Sequence, residues 1–256
     1  MAMLLLAALC LAVVCVFGWW QQRRTLNAGH ADVIWALGVG ACAVCYLALG
    51  EGSLLARVLI ATLIASWSIR LGGHIWRRVH GAPEDGRYRA MREHFGVNAN
   101  LFLLFFFLGQ GLLAWLFSLP HWFLAVNAAV ISVGWLVAGL TLGVLALWGE
   151  SVADRQLARF RSKPENAGKT CRDGWWRYSR HPNYFFEWLH WFSYPLMATG
   201  ISGAGWLWLA PIMMFLFLWF VTGIPYTERQ ALKSRGDDYR EYQRTTSPFI
   251  PWRLKA

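Results

Sequence analysis

Residues 31–50, ADVIWALGVGACAVCYLALG, decide the class of fold. Twenty consecutive residues carry one charge, Asp32 near the start, and a membrane-crossing helix needs about 20 mostly apolar residues. Six further stretches read the same way, approximately 2–20, 54–72, 100–119, 122–148, 184–201 and 203–225. The expected fold is therefore all-α and polytopic, with seven transmembrane helices in a single domain over residues 1–256. Composition agrees: 57% of residues are hydrophobic and 15% charged, against about 25% charged in a soluble domain. The first stretch could be a cleaved signal peptide. It has no basic n-region, however, and Gln21-Gln22-Arg23-Arg24 follows the apolar run, so a retained helix is expected.

The formal charge of +10 would point to nucleic acid in a soluble protein. Here the cations sort by loop. Arg23 and Arg24 follow the first stretch, Arg70, Arg77, Arg78, Arg87, Arg89 and Arg92 surround the third loop, eight Lys and Arg lie between 155 and 180, and seven run from Arg229 to Lys255. Only Arg57 falls on the other side. The positive-inside rule places the N-terminus outside and the C-terminus in the cytoplasm, which requires an odd number of crossings. The bilayer is the expected partner and nucleic acid is not. The outer connections, around Gly50-Glu51-Gly52-Ser53, Leu119-Pro120-His121 and Thr199-Gly200-Ile201-Ser202-Gly203, read as tight turns. The cytoplasmic ones, 73–99, 149–183 and 226–256, are long enough to bind a water-soluble ligand.

Two patterns inside 31–50 imitate soluble motifs. Gly38-Val39-Gly40-Ala41-Cys42-Ala43 fits the dinucleotide pattern G-x-G-x-x-A but has no preceding strand, so small residues permitting close helix packing are expected. Cys42-Ala43-Val44-Cys45 has C-x-x-C spacing without further ligands, and Cys10, Cys15 and Cys171 complete no framework. His74 and His80 lack a third partner at ligand spacing, so no metal site is expected.

The densest chemistry is the run from Asp173 to Trp191, DGWWRYSRHPNYFFEWLHW. Pro182 suits the first turn of a helix and predicts a start near residue 182. From there Asn183, Glu187, His190 and Trp191 recur at i, i+4, i+7 and i+8, on one face. A carboxylate one turn into an apolar helix is costly and faces a cavity or a partner, so Glu187 reads either as a ligand-binding group or as one half of a structural pair with an Arg. Glu150, Asp154 and Arg161 share a side of the helix that extends the fifth stretch, and Glu228, Arg229, Tyr239 and Tyr242 follow the last. Arginines suit phosphates, aromatic rings suit planar bases, and carboxylates or amides suit ribose hydroxyls and carboxamides. A phosphorylated nucleotide cofactor entering from the cytoplasm would use all of them.

These segments resemble the membrane reductases related to the steroid 5-alpha-reductase family, in particular a bacterial branch of seven-span relatives. The likeness rests on Glu84-Asp85-Gly86-Arg87-Tyr88-Arg89, on Trp176-Arg177-Tyr178-Ser179-Arg180-His181-Pro182-Asn183-Tyr184 with Glu187, and on Tyr239-Arg240-Glu241-Tyr242 through Ser247-Pro248-Phe249-Ile250-Pro251. Sterol reductases of the lamin B receptor type share Gly174-Trp175-Trp176 and Arg180-His181-Pro182-Asn183-Tyr184. Isoprenylcysteine carboxyl methyltransferases share a similar Arg-His-Pro-x-Tyr pattern but use S-adenosylmethionine. The resemblance implies NADPH held in a cytoplasm-facing cavity of an inner-membrane protein, and hydride transfer to the C=C of an enone in a sterol-like or isoprenoid-like lipid. Carried over by position, Arg70, Asp154, Arg161, Asn183, Glu187, Trp191, Glu228 and Tyr239 match cofactor-contacting positions, and Arg180, His181 and Tyr184 match the shared signature. Four departures stand out: Trp67 replaces the third-helix tyrosine that protonates in steroid reductases, the second span has acids only at its ends, Asp32 and Glu51, where those enzymes carry an assisting Glu, Phe186 replaces a glycine, and Glu228 replaces a histidine. Tyr46, Tyr178 and Tyr184 are the candidate proton donors. The alternatives are an S-adenosylmethionine-dependent methyltransferase and a non-enzymatic lipid-binding or scaffold protein.

Overall fold

A computed structural model describes residues 2–128, 130–221 and 223–253. The chain divides into two compact units, residues 1–131 and 132–256. Among the described residues there is no strand, only an isolated parallel bridge between Ser179 and Ser247. Six helical segments are long and apolar enough to cross a membrane, as a polytopic membrane protein requires.

The first unit contains α1 (Ala2–Thr25), α2 (His30–Leu49), α3 (Leu54–Gly81), α4 (Gly86–Phe95) and α5 (Ala99–Val126). The opening stretch is α2, which packs against α1, α3 and α5. Its small residues make that possible. A Cβ on Gly38 would lie 2.7 Å from Leu11, and one on Gly40 would lie 2.2 Å from Ser68 Oγ. The Ser68 hydroxyl itself donates to the Ala36 carbonyl at 2.9 Å. Gly38 and Gly40 are thus packing residues, and all five cysteines are free.

The turn after α2 explains the one cation outside the sorted loops. Ser53 Oγ caps α3 by accepting from the Ala56 N–H, and Arg57 donates to the Leu47 and Ala48 carbonyls at 2.8 and 3.2 Å. These carbonyls end α2 and have no helical donor, so a cation there satisfies a helix C-terminus.

The expected turn at Leu119-Pro120-His121 is not formed. α5 continues through a buried Pro120 to Val126, and the next helix begins at Val133 rather than near 122. A proline in an apolar helix is tolerated when neighbouring helices and serine side chains compensate the backbone, and Ser118 Oγ donates to the Trp115 carbonyl at 2.7 Å. Asn127 supplies the stop instead, its backbone and side-chain N–H groups both reaching the Phe123 carbonyl.

The loop expected over 73–99 is largely helical and laced by ion pairs. Arg92 reaches Glu84 at 3.0 Å and Gln22 at 2.6 Å, and Glu84 also accepts from the Ala28 N–H. Asp85 caps α4 and pairs with Arg78 and Arg87, while Arg87 also reaches Asp32. Burial alone would raise the Asp85 pKa, but the Arg87 N–H and the charges of Arg87 and Arg78 outweigh it and hold the carboxyl below its ordinary value.

The second unit contains α6 (Val133–Arg161), α7 (Pro182–Trp191), α8 (Ser193–Met197), α9 (Leu209–Leu216), a π-helical turn (Phe217–Val221) and α10 (Ile224–Thr245). α7 starts at Pro182, as the sequence predicts. The stretch 184–201 is not one continuous helix, because it breaks at Phe192 between α7 and α8. Pro195 explains the break: it has no N–H for the Trp191 carbonyl, and its ring crowds that carbonyl. α6 packs on both pieces through glycines. A Cβ on Gly149 would lie 2.4 Å from the Phe186 ring and one on Gly139 2.4 Å from Met197. Gly149 therefore makes the room that Phe186 needs.

Gly40→Val should lower the thermal unfolding temperature in detergent, at a cost of about 1–3 kcal/mol for overpacking. Gly73→Ala, on α3 with nothing near its Cβ, should be neutral or stabilising. Equal melting temperatures for Gly40→Val and the parent would contradict the close α2–α3 approach.

Candidate functional site

The second unit gathers most of the candidate residues. Two glycine-dependent bends place them. Gly174, at φ 57°, opens the turn that brings Trp175 and Trp176 onto α6: the Trp175 N–H donates to Gln156 Oε1 at 2.9 Å and Trp176 Nε1 to the Ala153 carbonyl at 2.9 Å. Gly236, at φ 53° and ψ −121°, bends α10 back on itself. In a straight helix residues fifteen apart are separated by about 22 Å. Here Gln243 Nε2 donates to Glu228 Oε2, fifteen residues earlier, at 2.7 Å.

Glu228 is the centre of what that bend assembles. Its Oε1 accepts from Arg180 Nε at 2.7 Å and from Tyr239 OH at 3.4 Å, and His181 Nε2 lies 3.2 Å away. Arg180 also donates to the Gln243 and Thr246 carbonyls at 2.8 and 3.1 Å, so one guanidinium ties both sides of the Gly236 bend. The pair is well shielded, with side chains 11% and 14% exposed. Burial opposes ionisation of Glu228. The His181 hydrogen bond, the Arg180 charge and the bonds from Arg180 and Gln243 outweigh it and lower its pKa. His181 is shifted down by burial, against the pull of Glu228, so its imidazole is neutral at pH 7 and the adjacent carboxylate favours the proton on Nε2. The His181 ring lies parallel to Tyr184, with centroids 5.5 Å apart.

Backbone pairing extends the join. Arg180 N–H donates to the Ser247 carbonyl at 2.9 Å, Trp252 N–H to the Tyr178 carbonyl at 3.0 Å and Ser179 Oγ to the Phe249 carbonyl at 2.6 Å. The buried Tyr242 hydroxyl lies against the carbonyls of Trp176 and Ser179. Phe249 is buried among Phe185, Trp188, Phe215 and Trp219. The tail signature and the Arg180-His181-Pro182 signature are therefore two halves of one structural join.

A second group runs along α6 and α7. Asn183 Nδ2 donates to Asp154 Oδ1 at 3.2 Å. One turn further, Glu187 is buried and its Oε1 accepts from Trp191 Nε1 at 3.0 Å. Glu150, a turn before Asp154 on α6, is buried as well. Across the helix break, Tyr194 OH and His190 Nε2 are 2.7 Å apart, both fully buried. Arg161 ends α6, exposed beside Arg155 and Arg159. The α7 face read from the sequence is thus present, with Glu187, His190 and Trp191 pointing inward.

Arg70 on α3 and Tyr46 on α2 belong to the first unit, where Tyr46 is buried with Ser118 Oγ at 3.5 Å. Trp67 is buried there too, edge-on to Trp35. Tyr178 is 43% exposed at the end of the Gly174 turn. Among the described residues no group of three or more His, Cys, Asp or Glu could hold a metal ion. Sequence reading missed Gln243, Tyr194 and the bend. The bend was visible in Gly236-Asp237-Asp238, a helix stop followed by capping residues.

Gly236→Ala should cost about 1–3 kcal/mol, because an alanine at that φ is strained although nothing crowds its Cβ. Thermal unfolding of the solubilised protein measures it, and a loss below a few tenths of a kcal/mol would contradict the bend.

Residues 18–246 match the family described as "Protein of unknown function (DUF1295)". Delta(14)-sterol reductase ERG24 of Candida albicans is 26% identical over 167 residues, which cover 58% of this chain and 35% of that protein. The chain thus matches about a third of the length of this curated relative. No solved structure matches. Part of the chain is thus similar to a sterol reductase, and the match from residue 18 to 246 makes the chain a member of the DUF1295 family.

Proposed function

We propose that the chain is an NADPH-dependent membrane reductase that transfers hydride to the activated C=C of a sterol-like or isoprenoid-like lipid. Residues 1–256 act in this reading as one domain with seven crossing segments, the N-terminus outside and the C-terminus in the cytoplasm of a bacterial inner membrane. Nearly all cations then lie on the cytoplasmic side, where a soluble cofactor enters. The observation that carries the reading is the buried Glu187, fixed by Trp191 one turn beyond the Asp154–Asn183 pair, in a chain similar to a Delta(14)-sterol reductase.

The donor set fits the cofactor. Carboxylates and an amide at Asp154, Glu187 and Asn183 suit ribose hydroxyls and a carboxamide, and exposed Arg155, Arg159 and Arg161 suit phosphates. Bound NADPH supplies a hydride. The protein's part is to orient the nicotinamide through Glu187 and Asn183, to keep water from it with Trp191 and Phe186, and to donate a hydrogen bond to the acceptor oxygen as charge develops there. Hydride addition leaves an enolate that must take up a proton at carbon, and the Trp67 indole is too weak an acid to deliver it; the candidate donors are Tyr46, Tyr178 and Tyr184 from the sequence, with Tyr194 added by its buried pairing to His190. Arg70 and Tyr184 remain cofactor-contact candidates by position.

Purified protein should bind NADPH saturably, and Glu187→Ala should weaken that binding at least tenfold without changing the fold by circular dichroism. A thermal-shift comparison separates the classes: stabilisation by NADPH supports the reductase, and stabilisation by S-adenosylmethionine alone supports a methyltransferase. Neither, in folded protein, would leave the lipid-binding or scaffold reading.

A further inference from the structure

We infer that Glu228, near the start of α10, is a positioning residue: it fixes the turn Ser179–Pro182 that launches α7, and through it the placement of Asn183 and Glu187. The inference rests on the proposed cofactor site and gives Arg180, His181 and Glu228 a different task there from direct contact. Four side chains meet the Glu228 carboxylate: Arg180 and His181 from the signature turn, and Gln243 and Tyr239 from beyond the Gly236 bend. Each is engaged inside the protein. Arg180 spends its other bonds on the Gln243 and Thr246 carbonyls, so it binds the tail as a clamp.

The geometry transmits directly to the site. His181 is the residue before Pro182 at the start of α7, and its N–H is held by Ser179 Oγ at 3.1 Å. The His181 carbonyl accepts from the Phe185 N–H at 3.0 Å in the first turn of the helix. Asn183 and Glu187 lie on that turn and the next, so a change in how the tail holds Arg180 and His181 rotates or shifts both. Removing the carboxylate would leave the Arg180 guanidinium shielded and uncompensated, which disfavours the folded-back tail rather than merely thinning its contacts.

Hydrogen exchange read by mass spectrometry on the full solubilised chain, with an NADPH titration alongside, tests this. Two variants are compared, Glu228→Gln and Gln243→Ala, the second leaving the Arg180–Glu228 pair intact. The expected result for each is faster exchange, by tenfold or more, in both 179–182 and 239–252, with no change in 139–153 of α6. The NADPH Kd should rise at least fivefold in each, and the double variant should show less than the product of the two. A Kd raised by Glu228→Gln but untouched by Gln243→Ala would make Glu228 a direct ligand and overturn the inference. A lower melting temperature with an unchanged Kd would reduce the network to a structural role and also overturn it. If the parent protein binds no NADPH, the cofactor reading fails by itself. Joint loosening of the two segments then upholds the join, and loosening of one alone refutes it.

Discussion

An apolar environment leaves backbone N–H and C=O groups no partner but the protein itself, and most of the local choices in this chain answer to that requirement. It makes every long segment a helix. It also explains the exceptions. Arg57 is the one cation away from the sorted loops, and it closes the open carbonyls of α2. Pro120 stays inside α5, beside a serine that bonds back into the helix, whereas Pro195 ends α7. Near that second proline the polar residues accumulate: Glu187 pairs with Trp191 just before the break, and His190 pairs with Tyr194 across it. Buried polar side chains in apolar surroundings are expensive and tend to be functional, which is why this region carries the proposed chemistry.

The second organising element is a carboxylate shared among side chains that are far apart in sequence. Glu228 and Arg180 form a shielded pair, and such pairs contribute little net stability but are costly to break on one side. Their value lies in specifying one arrangement. The bend at Gly236, the pairing of Ser179 with Ser247 and the burial of Phe249 all hold the tail to the signature turn. Glu228 thereby joins two motifs that look independent when read along the sequence.

The helical class and the basic sorting were legible because hydrophobic length and loop charge are local properties. The start of α7 at Pro182 and the inward face of Glu187, His190 and Trp191 followed from a proline rule and helical periodicity. The turns were less legible. Pro120 looked like a turn residue, since proline's cost in a helix depends on neighbours that the sequence does not display. The 184–201 stretch looked continuous by hydropathy, which is blind to the hydrogen bond that Pro195 removes. Arg180 and His181 were recognised as a signature, but their partner Glu228 lies 48 and 47 residues away and its relation to them depends on a bend at a single glycine. Long-range pairing of this kind has no periodicity to betray it.

Deuterium tracing is the most direct test of the central claim. Purified protein is incubated with NADPH deuterated at the transferable nicotinamide position and with a panel of enone sterols and isoprenoids, and the lipids are analysed by mass spectrometry. The reductase reading predicts a product carrying one deuterium on carbon, formed by the parent protein and lost in Glu187→Ala. Lipids recovered unlabelled, from folded protein that methylates an acceptor when given S-adenosylmethionine, would contradict it.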